Sequence, residues 1–187
     1  MKFLITGLGN IGDEYAETRH NIGFVVLDAL ASSLGATFTS GRYAAVARAK
    51  YKGRTLIMIK PSTYMNLSGK AVRYWLETEN IPIEKSLVIS DDIDLEPGQL
   101  RMKPGGSGGS HNGLNHVIEI LGTTSFPRLR FGIGSDFAKG YQVEYVLGRW
   151  TSSEVELLKP KVLVAVDMIK SFVTIGIDRT MSSYNNK

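Results

Sequence analysis

Short apolar segments typical of β-strands alternate along the chain with segments of helical periodicity, and one pair of strands is joined by a tight turn. Residues 2–6 predict a first strand, and apolar residues at helical spacing over 22–34 predict a helix that ends at Gly35. Lys52-Gly53 separates two strand-like segments and predicts a hairpin, so the sheet must be mixed. We expect a single-domain α/β fold over residues 1–187, a twisted mixed β-sheet flanked by α-helices.

The other predicted elements continue this alternation. Strands are predicted at residues 43–50, 54–60, 86–90, 99–103 and 128–134, and helices near residues 71–76 and 112–122. A last helix begins after Thr151-x-x-Glu154 or Ser153-x-x-Glu156, each of which fits a capping box. Because this helix contains Pro160, we expect it to be kinked or split.

Composition excludes several classes of protein. The chain has no cysteine (Cys 0), which excludes disulfides, thiolate metal sites and a cysteine nucleophile. No apolar stretch approaches the roughly 18 residues of a membrane span. The apolar segment at the N-terminus is far too short for a signal peptide. We therefore expect a cytoplasmic protein that has no membrane partner.

Charge is unevenly distributed around a net value of +4. Residues 41–75 contain eight basic and no acidic residues, whereas residues 76–96 contain seven acidic residues and one lysine. A basic surface attracts polyanions such as nucleic acid. The alternative is that both segments are solvated surfaces that fold next to each other and neutralise their charges.

Two glycine-rich motifs match known patterns without the context that those patterns need. Residues 7–12 read G-x-G-x-x-G, but a polar stretch separates them from the next helix, and Asp28, the acid at the expected spacing, lies inside that helix. Residues 105–109 read G-x-S-x-G, but no acid followed by a histidine comes after Ser107. A dinucleotide site and a serine nucleophile are therefore both disfavoured.

Metal binding is disfavoured on spacing. Asp91, Asp92 and Asp94 offer carboxylates, but His111 and His116 are five residues apart and fit one helical face poorly. We expect no metal and no cofactor.

Several polar residues lie just beyond a predicted strand or just before a predicted helix: Asn10, Asn66, Asp91, His111 and Asn112. Ligands of open α/β sheets bind at the carboxyl ends of the strands, so these side chains can converge there with His20. Imidazole, carboxylate and amide groups together suit hydrolysis by water. Asn21, Asn66 and Asn112 fit helix caps equally well, and His20 also fits a surface histidine.

Five motifs, in order and at matching spacing, resemble those of the bacterial-type peptidyl-tRNA hydrolases. They lie within residues 1–150 and comprise Gly7-Leu8-Gly9-Asn10 with Thr18-Arg19-His20-Asn21, Lys60-Pro61-Ser62-Thr63-Tyr64-Met65-Asn66, Asp91-Asp92-Ile93-Asp94, His111-Asn112-Gly113-Leu114, and Arg128-Leu129-Arg130-Phe131-Gly132. Tyr145-Val146-Leu147-Gly148 also resembles a late strand of that family.

The resemblance implies a cytoplasmic monomer that cleaves the ester between a peptide and the 3′-terminal ribose of tRNA, and so recycles tRNA from stalled or dropped-off translation products. It implies that His20 is the catalytic base and that Asp91 orients it. Residues implied to bind the substrate are Asn10, Tyr15, Met65, Asn66, His111 and Asn112. Residues implied to contact phosphates of the acceptor region, beyond the CCA end, are Arg101, Lys103 and Arg130.

Two positions depart from the family pattern. Ile11 stands where the family usually has proline, and Ser110 stands where it usually has glycine, so a positive φ at Ser110 would be strained. A non-catalytic RNA-binding member of the same fold, similar to organelle splicing factors, is the alternative function. The presence of both His20 and Asp91 favours the enzyme.

Overall fold

The computed structural model describes residues 1–185, which form one mixed seven-stranded sheet with helices on both faces. The strands are β1 (Lys2–Gly7), β2 (Thr39–Gly41), β3 (Ala44–Tyr51), β4 (Arg54–Pro61), β5 (Ser86–Asp92), β6 (Leu100–Lys103) and β7 (Arg128–Gly132). The helices are α1 (Ile22–Ser33), α2 (Ser68–Thr78), α3 (Asn112–Leu121), α4 (Gln142–Val146), α5 (Ser152–Ile175) and α6 (Ile177–Tyr184). Residues 186–187 of the expected domain lie outside the described residues.

The strand order β2-β3-β4-β1-β5-β7-β6 places β1 in the middle of the sheet. It runs parallel to both β4 and β5, and β5 runs parallel to β7. The predicted hairpin pairs β3 with β4 antiparallel, and β2 and β6 are antiparallel to their neighbours. The carboxyl ends of the four parallel strands therefore meet at one edge, where ligands of α/β sheets bind.

Side chains of β1 alternate between two hydrophobic cores, one on each face of the sheet. Phe3 and Ile5 pack with α1 and α5, whereas Leu4 packs with α2 and α3. This alternation follows from the two-residue period of a strand. Within residues 1–185, no helix is long and apolar enough to cross a membrane.

The predicted elements agree with the structure except near the C-terminus. The segment predicted as a late strand, Tyr145–Gly148, is wrong: its first residues belong to α4, and Arg149 forms only an isolated bridge with Thr18. Of the two outcomes expected at Pro160, a kink or a split, the split does not occur, because α5 runs through this residue. Its long apolar face outweighs the one backbone hydrogen bond that proline cannot make. Thr151 and Glu154 form the capping box.

Three elements were not predicted from the sequence: β2, α4 and α6. The last of these leads to a contact that protects the open edge of the sheet. Asn185 accepts a hydrogen bond from the Met102 N–H and donates one to the Met102 carbonyl, both at 2.9 Å. Its amide therefore takes the place of a neighbouring strand beside β6.

Helix α1 packs directly on the end of β1 because both carry glycine where they meet. A Cβ atom at Gly7 would lie 2.3 Å from the carbonyl oxygen of Gly23, and one at Gly23 would lie 2.6 Å from the backbone nitrogen of Leu8. No larger residue fits such backbone contacts. The approach holds the start of α1 against the carboxyl ends of β1 and β5.

Replacing Gly23 with alanine tests this contact. Alanine normally favours a helix over glycine, but here its methyl group would overlap backbone atoms, so we expect the free energy of unfolding to fall by about 2–3 kcal/mol. Chemical denaturation measures the change. Gly35→Ala is the control, because its Cβ would meet nothing within 4 Å although its φ is +68°. A larger loss at Gly35 than at Gly23 would contradict the packing argument.

Candidate active site

His20 lies in a single 3-10 turn, Arg19–Asn21, immediately before α1. The turn is anchored by Arg19, whose N–H donates to the Gly148 carbonyl at 3.0 Å and whose guanidinium pairs with Glu154 at 3.1 Å. The same guanidinium lies 4.2 Å from the centre of the Tyr145 ring. The position of His20 therefore depends on contacts with the C-terminal third of the chain.

Asp91, near the end of β5, lies between two imidazoles. One carboxylate oxygen is 2.7 Å from Nδ1 of His20, and the other is 2.8 Å from Nε2 of His111. The Asp91 side chain is 2% exposed, so both of its oxygens depend on these partners. The structure thus brings together three residues that are 71 and 20 positions apart in sequence.

Burial and the two imidazoles act in opposite directions on Asp91. Burial by itself would raise its pKa, because it disfavours the charged form. The attraction of His111 and of His20, with a hydrogen bond from each, outweighs burial and holds the pKa of Asp91 well below its usual range. Asp91 is therefore an ionised carboxylate in the folded protein.

The hydrogen bonds of His111 define its tautomer. Its Nδ1 accepts the N–H of Leu114 at 3.1 Å and so caps helix α3. Nε2 must then carry the proton and donate it to Asp91. Both nitrogens are committed, and His111 supports Asp91 without a free nitrogen for substrate.

His20 differs from His111 in having one nitrogen left over. Its Nδ1–H points at the Asp91 carboxylate, which leaves Nε2 with the lone pair. In residues 1–185, no protein group hydrogen-bonds this Nε2, and it is not among the fully buried polar atoms. An imidazole held in this way can accept a proton from water.

Asn10 lies beside this group at the end of β1, held by a second asparagine. Asn21 accepts a hydrogen bond from the Asn10 N–H and donates one to the Asn10 carbonyl, both at 2.8 Å. The side-chain oxygen of Asn10 accepts the N–H of Met65 at 2.7 Å. Within residues 1–185, its Nδ2–H groups have no protein acceptor, and this nitrogen is not among the fully buried polar atoms.

Met65 connects Asn10 with the histidine pair. A Cβ atom at Gly113 would lie 2.4 Å from the sulfur of Met65 and 3.0 Å from Cε1 of His111. The absence of a side chain at Gly113 therefore leaves room for both Met65 and His111 at the start of α3. Asn66, the next residue, is exposed.

An open pocket of about 200 Å³ contains six of the eleven residues that the sequence pointed to. These are His20, Asp91, Lys103, His111, Asn112 and Arg130. Asn10, Met65 and Asn66 adjoin the pocket without lining it, whereas Tyr15 and Arg101 are half-buried residues outside its wall.

The basic residues of the pocket are not equivalent. Arg130 pairs with Asp92, so part of its charge is already compensated. Lys103 forms no ion pair with any residue in the range 1–185. Of the two predicted phosphate contacts that line the pocket, Lys103 is therefore the better placed to attract an anion.

Arg128, a third basic residue of the pocket, is 1% exposed and has no carboxylate partner in the described chain. Its guanidinium donates to the carbonyls of Thr124, Ser107 and Phe126 at 2.8, 3.3 and 3.4 Å. It thereby ties the glycine-rich loop over residues 105–109 to the start of β7. Arg128 is not among the site residues predicted from the sequence. The pattern that could have indicated it is a basic residue that alternates with apolar residues in a strand predicted to be buried.

Several expectations about turns and caps are corrected by the structure. Neither Asn21 nor Asn112 caps a helix with its side chain, since Asn21 holds Asn10 and the cap of α3 is His111. Asn66 is likewise no cap, because α2 begins after Leu67 without a side-chain hydrogen bond. Ser110 does not have a positive φ, so its departure from glycine causes no backbone strain.

His20, Asp91 and His111 lie close enough together to be considered as ligands of one metal ion. One ligand atom from each of His20, Asp91 and His111 lies within 4.8 Å of the others. A cation between them would have to replace both direct hydrogen bonds to Asp91, and Nδ1 of His111 already accepts a helix N–H. The donor set fits a hydrogen-bonded triad rather than a metal centre.

The chain thus combines a mixed α/β sheet with a buried His-Asp pair at the carboxyl edge of its parallel strands, an arrangement suited to a hydrolase. The chain belongs to the peptidyl-tRNA hydrolase family, since the model of that family matches residues 4–187. A peptidyl-tRNA hydrolase of Phocaeicola vulgatus is 56% identical over 187 residues, with 100% of both chains covered.

A second relative and a solved structure agree with this assignment. A peptidyl-tRNA hydrolase of Bacteroides fragilis is 54% identical over the full length of both chains. The crystal structure of peptidyl-tRNA hydrolase from Acinetobacter baumannii matches with a TM-score of 0.93 and 35% identity, covering 98% of this chain and 94% of that one. The predicted fold class and family are confirmed.

The depressed pKa of Asp91 predicts how stability responds to acid. Because this pKa is lower in the folded than in the unfolded chain, ionised Asp91 stabilises the fold above the ordinary aspartate pKa of about 3.9, and this stabilisation is lost as the pH falls. Wild type should therefore lose stability below about pH 5 more steeply than Asp91→Asn, by up to about 1.4 kcal/mol per pH unit.

Urea denaturation of both proteins between pH 3 and pH 7 measures this difference. Glu79 and Glu154, whose pKa values are also lowered, are present in both proteins and cancel in the comparison. Equal slopes for the two proteins would show that Asp91 is not stabilised as an anion.

Proposed function

We propose that this chain hydrolyses the ester between the peptide and the 3′-terminal ribose of peptidyl-tRNA, with His20 as the general base. The observation that carries the proposal is the unpartnered Nε2 of His20, on a ring whose other nitrogen is held by the buried Asp91 carboxylate. Family membership supports the substrate class. The proposal includes action as a cytoplasmic monomer on tRNA released during translation.

In this mechanism, a water molecule attacks the ester carbonyl while Nε2 of His20 takes one of its protons. The ring becomes an imidazolium, and its new charge lies beside the Asp91 carboxylate at 2.7 Å. Asp91 therefore stabilises the product of the proton transfer and keeps the ring in the correct tautomer. The tetrahedral intermediate then breaks its bond to the 3′-oxygen of the ribose, which takes the proton from the imidazolium and leaves as the hydroxyl of free tRNA. His111 supports Asp91 from the other side and keeps it from rotating away.

Amide groups next to His20 suit the peptide portion of the substrate. The free Nδ2–H groups of Asn10 can donate to a peptide carbonyl, because Met65 N–H occupies the oxygen of that amide. Asn66 and Asn112 are exposed on either side and can bind the peptide and the 3′ end. The charged amino group of a free aminoacyl ester would find no carboxylate among these amides, which favours peptidyl over aminoacyl substrates.

Lys103 and Arg130 suit the RNA portion of the substrate. Both line the pocket on the β6–β7 side of His20, where a phosphate of the acceptor region would be attracted. The intact His20–Asp91 pair supports an enzyme over a non-catalytic RNA-binding protein, since RNA binding alone needs no buried carboxylate beside an imidazole.

Turnover of an N-blocked peptidyl-tRNA tests the proposal directly. Wild type should release free peptide and tRNA, and His20→Ala should lower kcat by about 10²–10⁴-fold while changing KM little, because a general base acts in the transition state. His116→Ala is a matched control on a histidine outside the pocket. RNA binding without turnover by wild type would favour the non-catalytic alternative.

The same assay should be insensitive to a chelator. The site residues fit a hydrogen-bonded triad, so we expect full turnover in excess EDTA. Loss of activity that added Zn²⁺ restores would contradict the mechanism.

The placement of Lys103 predicts a selective effect on long RNA substrates. Lys103→Gln should raise KM for full-length peptidyl-tRNA more than for a short 3′-end fragment carrying the same peptide, because only the former supplies the acceptor phosphates. The salt dependence of binding should also flatten by about one unit or slightly less. Lys52→Gln, on the β3–β4 turn, is the control for net charge. Equal losses on both substrates would remove Lys103 from tRNA recognition.

A further inference from the structure

The segment over residues 41–75 contributes Met65 and Asn66 to the site described above, but none of its basic residues lines the pocket. Its members near the active-site edge form a compact group of exposed charges and aromatic rings, which we call the basic patch: Arg42, Tyr43, Lys70, Arg73 and Tyr74. Arg42 lies 5.2 Å from the Tyr43 ring centre and 5.3 Å from that of Tyr74, and the two rings are 5.6 Å apart.

The charges of the basic patch are uncompensated. Within residues 1–185, no carboxylate forms an ion pair with Arg42, Lys70 or Arg73. The expectation that the acidic segment neutralises the basic one is met only at Arg48, which pairs with Glu79 away from the patch. The pKa of the Tyr43 hydroxyl is lowered, mainly by Arg42 and to a smaller extent by the charges of Lys70 and Arg73. These two cations therefore lie near Tyr43.

Two of the four non-glycine residues with positive φ within residues 1–185 lie in or next to the basic patch. Tyr43 and Tyr64 both have φ of 62°, a left-handed conformation that side chains other than glycine and asparagine rarely adopt. The loop that carries Tyr64 is joined to Tyr43 by a hydrogen bond from Ser62 N–H, at 2.8 Å. Tyr64 is 51% exposed, so this strain presents an aromatic ring to solvent rather than to the core. Strain of this kind is typical of binding surfaces.

The sheet order puts the basic patch on the opposite side of His20 from Lys103 and Arg130. The latter belong to β6 and β7 at one end of the sheet, whereas Arg42 and Tyr43 precede β3 near the other end. In the proposed function, the ester is cleaved at His20 and its RNA lies toward β6 and β7. The peptide must then leave in the direction of β4 and β3, toward the patch.

The patch also continues directly from the amide groups proposed to hold the peptide. Lys70 and Arg73 lie on α2, four and seven residues after Asn66, which at the helical rise corresponds to about 6 and about 11 Å. An extended chain covers these distances in two to four residues. A peptide whose last two residues lie at Asn10 and Asn66 would bring its third to fifth residues from the ester over Lys70 and Arg73.

We propose that the basic patch binds acidic side chains of the peptide, at the third to fifth positions from the ester, and makes the enzyme prefer peptidyl-tRNAs with acidic residues there. The inference rests on the proposed function. Exposed cations supply the charge complementarity for carboxylates, and the tyrosine rings supply a surface for the peptide backbone.

Matched substrates on one tRNA test the proposal. An N-acetylated hexapeptide would carry either two Glu or two Gln at the third to fifth positions, and a dipeptide on the same tRNA would be the reference. Wild type should show a KM about two- to tenfold lower for the Glu substrate at low salt, a preference that weakens as salt screens the charges. Lys70→Gln/Arg73→Gln should bring the ratio of the two KM values close to one.

The control variant is Lys50→Gln/Lys52→Gln, which removes the same charge at the opposite end of β3 and should retain the preference. Three results would overturn the proposal. Wild type could show no preference for the Glu substrate, or both double variants could lose the preference equally. Alternatively, Lys70→Gln/Arg73→Gln could raise KM equally for the two hexapeptide substrates and the dipeptide substrate, which would assign the patch to tRNA. Fluorescence anisotropy of the two hexapeptide amides, without tRNA, measures the same preference as binding. If wild type binds them selectively but hydrolyses no peptidyl-tRNA, the proposed function fails and the patch assignment stands.

Discussion

The close approach of α1 to the end of β1 is the constraint on which the site depends. Gly7 and Gly23 meet where a single methyl group on either would overlap backbone atoms. Because α1 begins at this contact, the turn that precedes it has no freedom to move away from the sheet edge. His20 in that turn and Asp91 on β5 are thereby brought within hydrogen-bond distance.

The buried Asp91 carboxylate is the electrostatic counterpart of this constraint. A charge at 2% exposure is costly unless its oxygens are satisfied, and here each oxygen has its own imidazole. The arrangement is asymmetric, since His111 also caps α3 whereas His20 keeps one nitrogen free. The same carboxylate therefore supports the start of α3 through one histidine and, in the proposed mechanism, prepares the other for proton transfer.

Basic residues divide the surface around His20 into two regions. Lys103 and Arg130 lie on the β6–β7 side, and the cations of α2 lie on the β3–β4 side. In the two proposals above, this division guides the RNA and the peptide of the substrate to opposite sides of His20. Arg128 is different in kind, because its charge is buried and is satisfied by carbonyls of the glycine-rich loop.

The sequence by itself determined the alternation of strands and helices, the hairpin and the residues that meet at the strand ends, because these follow from periodicity, turn chemistry and strand direction. Motif resemblance added the family and the pairing of His20 with Asp91. Only the tertiary structure decided that Asn21 holds Asn10 instead of capping α1, that Arg130 is paired with Asp92, and that α5 continues through Pro160. Each of these outcomes depends on a partner distant in the chain, and local sequence cannot specify which distant groups compete for a hydrogen bond or a charge.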